Sequence, residues 1–158
     1  MALITWSNEY CVNINDIDEE HQELITLINN LEAAYTAWQN KLVDHSLFRW
    51  YFNEFTMFMN YHFQTEERIF KERNYSNLDY HQDEYDELSA KLLETQTQLV
   101  KVEMFAAEEI INFITNWLHQ HILSILQMQA QAHAKTQKVE KSRFDILDDF
   151  DEVGILPA

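Results

Sequence analysis

The chain is poor in the residues that punctuate a fold. One glycine and one proline occur in 158 residues, at Gly154 and Pro157, so residues 1–153 contain neither. A β-sandwich or barrel needs turn residues every few positions, and this composition cannot supply them. The one cysteine, Cys11, excludes an intramolecular disulfide and suits a reducing compartment. Bases are scarce: 11 Lys and Arg stand against 27 Asp and Glu, a formal net charge of −16. Such an acidic surface repels phosphate backbones and anionic headgroups, which argues against nucleic-acid and membrane partners. No run approaches the roughly 18 consecutive apolar residues of a membrane span. The opening stretch MALITWSNEYCVNIND lacks the basic and then apolar order of a signal peptide. A cytoplasmic protein is therefore expected.

What remains is helical period. Few breakers and long 3.6-residue patterns predict an all-α chain. Residues 1–15 show no sustained period and read as an N-terminal arm held by Trp6, Tyr10, Val12 and Ile14. Asp16 with Glu19 forms a capping-box pattern opening a first helix, whose stripe is Ile17, His21, Leu24, Ile25, Ile28, Leu31, Tyr35 and Trp38. Asp44 or Ser46 caps a second helix ending near Lys71, with the stripe Tyr51, Phe55, Phe58, His62, Glu66 and Phe70. Ser76 or Asn77 caps a third, with Leu78, His81, Tyr85, Leu88, Leu92 and Leu99 on its stripe. The junction to the fourth falls around residues 100–105, and that helix carries Ile110, Phe113, Ile114, Trp117, His121, Ile125 and Met128. Short connections predict an antiparallel up-down four-helix bundle over residues 1–137. Beyond it, residues 138–158 are acidic with interspersed Phe144, Ile146, Leu147 and Phe150. They read as a flexible or surface-docked tail and a possible motif for a protein partner.

Each helix carries one histidine on its apolar stripe: His21, His62, His81 and His121. Glu66, four residues after His62, projects from the same side of the second helix. A carboxylate on an aromatic face is expensive unless hydrogen-bonded or paired with a cation. One such histidine is usually a core residue with a satisfied ring. Four of them, early on the odd helices and late on the even ones, fall at one end of an up-down bundle. All five side chains can then share one level of the core. Imidazole with carboxylate is a ligand set for iron, zinc, manganese or nickel. His119 lies roughly 200° from His121 around its helix and, like His133, is expected at the surface.

These residues resemble a bacterial hemerythrin. The likeness rests on Trp6-Ser7, Tyr10, Val12-Asn13-Ile14, Ile17-Asp18, Glu20-His21 and Leu24, then His62-Phe63 with Glu66-Glu67, then Trp117-Leu118 with His121-Ile122. It covers roughly residues 3–133. The resemblance implies two non-haem irons that bind O2, His21 and His62 on one iron, His81 and His121 on the other, and Glu66 bridging. Two positions depart from the family pattern. Tyr85 stands where a second third-helix histidine is expected, and Leu126 where the fourth helix should offer a bridging aspartate. Tyr85 either serves as a phenolate ligand or fills the histidine's space and hydrogen-bonds Glu66. Two readings follow. One is a non-haem iron protein with an atypical site, one ion or two, for O2 or a related small ligand as carrier, sensor or iron store. The other is a metal-free or structurally metallated interaction module using the acidic tail. Nothing in the sequence specifies a substrate, so catalysis is not expected.

Overall fold

The computed structural model describes residues 2–151, with side-chain surroundings through residue 143. Four helices follow a short 3₁₀ turn at Asn8–Tyr10: α1 Asn15–Gln39, α2 Ser46–Glu72, α3 Leu78–Val100 and α4 Met104–Asp151. No strand occurs among the described residues. Each helix packs against two neighbours in the ring α1, α2, α3, α4 and back to α1. This is the up-down bundle that short loops dictate.

A chain without glycine must turn some other way. Asn13, Asn74 and Asn77 take the left-handed backbone conformation, as do Lys41 and Val102. Asparagine tolerates that region better than other residues with a Cβ, and a β-branched residue tolerates it badly. Val102, at φ 59°, is therefore the strained link between α3 and α4. Their junction falls at residues 101–103, inside the expected window.

The stripes of α1, α3 and α4 bury much as their spacing predicts, with Ile17, Leu24, Ile28, Leu31, Leu88, Ile110, Ile114 and Ile125 fully or almost fully enclosed. The α2 face is rotated from the expected stripe. Phe48, Phe52, Phe55, Met59, Phe63 and Phe70 are buried, while Tyr51 and Phe58 are only half-buried. Polar tips explain Tyr51, and α2 is so aromatic all round that periodicity alone does not rank its faces. Each fully buried aromatic side chain contributes roughly 1.5–3 kcal/mol.

Helix ends also differ in detail. The expected capping box of Asp16 and Glu19 does not form, and both residues are exposed. Instead Asp18 reaches back, accepting the Val12 N–H at 2.8 Å and the Cys11 thiol at 3.1 Å. That ties the arm to α1 where Val12 and Ile14 enter the core. The N-cap of α2 is His45, without a side-chain cap bond, rather than the expected Asp44 or Ser46; Asp44, one residue before it, accepts the Ser46 N–H at 2.8 Å. Asn77 precedes α3 but makes no side-chain cap, its amide donating to Gln131 of α4 instead.

The change of character expected at 137/138 is not a break in the backbone, because α4 runs on to Asp151. An acidic-hydrophobic composition had concealed a continuing helix. Residues 152–158, the end of the expected tail, lie outside the described residues. No described helix is long and apolar enough to cross a membrane.

Candidate metal centre

Helical spacing places His62 and Glu66 on successive turns of α2, and the bundle brings the other helices' histidines to meet them. His21, His62, Glu66 and His121 are fully buried, and His81 is 4% exposed. The Nε2 atoms of His62 and His121 each lie 3.0 Å from Glu66 Oε1, and that of His21 lies 3.4 Å away. His62 Nε2 and His121 Nε2 are themselves 3.4 Å apart. On the other carboxylate oxygen, His81 Nε2 sits 2.7 Å from Glu66 Oε2. All five expected residues thus share one level of the core.

Their partition differs from the two-and-two division implied by the resemblance. His121 gathers with His21 and His62 around one oxygen, leaving His81 alone on the second. One candidate ligand atom from each of His21, His62, Glu66 and His121 falls within 4.8 Å of the others.

As a hydrogen-bonded cluster this is poor chemistry. One carboxylate oxygen offers two lone pairs, and three ring nitrogens crowd it. Both ring nitrogens of His21 are buried without a hydrogen-bond partner, although an imidazole always carries at least one N–H to donate. An orphaned buried donor costs about 1–3 kcal/mol. Lone pairs from three Nε2 atoms and Oε1 directed at a cation remove that difficulty. The donor set suits a transition metal of borderline softness.

The groups' own ionisation tells the same story. Burial pushes His21 down to about 4, holding it neutral. Burial also opposes charge on His121, but the Glu66 carboxylate outweighs it, with help from Glu84, and raises the ring to about 9. His62 is likewise raised, burial being outweighed by Glu66 and Glu20. Glu66 itself, despite complete burial, is held well below the usual carboxylate range by His121 and His62. The protonated His121 ring therefore stands where a metal ion would put its own charge.

A surrounding layer not foreseen from the sequence orients the rings. Glu20 Oε2 accepts from His62 Nδ1 at 2.7 Å, while its Oε1 accepts the Thr65 hydroxyl at 2.9 Å. This fixes the proton on Nδ1 and turns the Nε2 lone pair inward. Glu20 also lines an open groove of about 320 Å³ between α1 and α2, so the partner of the buried His62 ring is itself within reach of solvent. Glu84 Oε2 lies 3.9 Å from His121 Nδ1 and accepts from Ser124 at 3.3 Å. Trp117 stacks on His121, with ring centroids 4.5 Å apart and planes at 14°, and Phe63 lies 4.8 Å from His81. These aromatics keep water from the inner face of the cluster.

Tyr85 is not brought to the cluster. It is half-buried with its ring 4.2 Å from Phe63, and its hydroxyl donates to Asn60 Oδ1 on α2. That hydroxyl bonds neither Glu66 nor a histidine of the cluster. Leu126 is half-buried against the hydrophobic core. Of the two histidines expected at the surface, His133 is exposed and His119 is half-buried, 5.4 Å from the Tyr10 ring.

Known proteins resemble this chain over most of its length. The family model "Hemerythrin HHE cation binding domain" matches residues 12–127. A bacteriohemerythrin of Stenotrophomonas maltophilia is 24% identical over 144 residues, covering 91% of this chain and 88% of its own. A hemerythrin-like protein of Naegleria gruberi is 29% identical over 117 residues, covering 74% of this chain and 82% of its own. A bacteriohemerythrin of Clostridium acetobutylicum is 23% identical over 127 residues, covering 77% of this chain and 94% of its own. With its buried histidines and Glu66 inside the matched span, the chain belongs to the hemerythrin family.

Proposed function

We propose that this is a cytoplasmic non-haem iron protein that holds one iron ion between His21, His62, His121 and Glu66 and binds O2 or a related small ligand. The observation that carries the proposal is the convergence of three Nε2 atoms on Glu66 Oε1, with both His21 nitrogens unpartnered. Two histidines and a carboxylate already suffice for non-haem iron with open coordination positions. Bound there, ferrous iron supplies the redox-active position at which a diatomic ligand is taken up. The chain's own residues do the rest. Glu20 holds the His62 tautomer, Trp117 and Phe63 exclude water, and Glu66 balances the charge. His81 keeps the second oxygen of Glu66 engaged. Tyr85 and Leu126 take no part, which favours one ion over the pair implied by the resemblance.

Iron quantification on the purified protein tests this, with optical spectra of the reduced form before and after O2 exposure. One iron per chain and a spectrum that responds to O2 are expected. No iron after anaerobic reconstitution with ferrous salt would overturn the proposal and leave the metal-free interaction module.

A further inference from the structure

The fourth helix outlasts the bundle it belongs to. Its last buried side chain among the described residues is Met128, and Gln131 is level with the start of α3 through its hydrogen bond to Asn77. From His133 to Arg143 every side chain is exposed, Val139 by 60%. The helix itself continues to Asp151, so residues 132–151 run on for roughly 30 Å, bare of packing from His133 to Arg143. A helix of that length is marginal on its own and is normally held by packing along one face.

Charge along this projection is divided in two. Lys135, Lys138, Lys141 and Arg143 stand against Glu140 alone, in a chain with only 11 bases. The next eight residues carry Asp145, Asp148, Asp149 and Asp151 and no base. A basic half followed directly by an acidic half is complementary to itself reversed. We infer that residues 132–151 of α4 pair antiparallel with the same segment of a second copy, crossing between residues 141 and 142 and laying each basic half against the partner's acidic half, with Lys135 level with Asp148 and Lys138 with Asp145. Parallel pairing would set like charges opposite one another and is disfavoured. Phe144, Ile146, Leu147 and Phe150, interspersed in the acidic half, supply the apolar content that charge pairing alone lacks. The adjacent aspartates, and a net charge of −16, disfavour an anionic surface as the partner of the basic half. The pairing is independent of what the metal centre binds.

The test is the mass of the full chain in solution, by sedimentation equilibrium or light scattering. At about 0.1 M salt the mass is expected to be twice the 19.0 kDa of one chain. It should fall toward one chain at about 1 M salt, where the screening length drops from about 10 Å to about 3 Å. Two reversed variants sharpen the test: K135E/K138E/K141E, and D145K/D148K/D149K. Each alone should be monomeric with unchanged helicity, and an equimolar mixture should form a one-to-one dimer. A monomeric wild type at low salt, variants that dimerise alone, a mixture that stays monomeric, or a wild-type monomer that sediments with anionic vesicles would each overturn the inference.

Discussion

Replacing Glu20 with alanine removes a carboxylate that never reaches the candidate cation, yet it should loosen the cation's hold. In the native arrangement Glu20 receives the His62 Nδ1 proton at 2.7 Å and the Thr65 hydroxyl at 2.9 Å. Without it, the buried ring is free to carry its proton on either nitrogen or to turn toward the α1–α2 groove. Loss of such an orienting partner typically weakens metal affinity about 10–100-fold, equal to about 1.4–2.7 kcal/mol. Glu20→Gln should lose less, since its amide oxygen still accepts from Nδ1. Thr65→Val keeps the carboxylate and should lose least. Ferrous-ion competition against a chelator of known strength measures all three. Thermal unfolding of the metal-free forms separates a positioning effect from simple destabilisation. If Glu20→Ala bound iron as tightly as the wild type, the inward orientation of His62 would not depend on Glu20, and the reasoning would fail.

Four further outcomes follow from the same geometry. Metal uptake must displace the His121 proton, so apparent iron affinity should fall as pH drops below about 9, by up to roughly tenfold per unit; a flat profile from pH 6 to 9 would contradict this. In the metal-free protein, His121 is raised from 6.5 to about 9, so its stabilising contribution is complete below pH 6.5 and is lost as pH rises through 9. A melting temperature that climbs over that range would contradict the assignment. Tyr85→Phe removes only the bond to Asn60 and should leave iron content and optical spectrum unchanged, with a stability loss of at most about 1 kcal/mol. Finally, Y85H with L126D should raise iron from one to two per chain, and unaltered iron content would show that the scaffold no longer accepts the second ion.

The sequence exposed the inner ring of the site because its signal is a contradiction: a polar residue on an apolar stripe. His21, His62, Glu66, His81 and His121 each break a run of Leu, Ile or Phe, and the up-down topology then places them together. Glu20 gives no such signal. It sits in the acidic run Asp16-Ile17-Asp18-Glu19-Glu20, where a solvated carboxylate is the ordinary expectation, and only the approach of Thr65 and His62 from α2 encloses it. Glu84 is hidden in the same way among Gln82, Asp83 and Glu87. Tyr85 was ambiguous because spacing gives the direction of a side chain but not how far its terminal oxygen extends. The end of α4 was missed for a different reason. Acidic composition reports what a segment can bury, whereas its helix continues from a bundle that has already met the cost of nucleation.

The proposed donors come from α1, α2 and α4 and span chain positions 21 to 121. A cation seated there would work as a non-covalent cross-link, closing two long loops at once. None of those three helices can detach without giving up a donor, so release of the ion and opening of the bundle become one event. With free ion at a hundred times its dissociation constant, that linkage adds about 2.7 kcal/mol to the folded state. Iron supply would then set the lifetime of the protein as well as its occupancy.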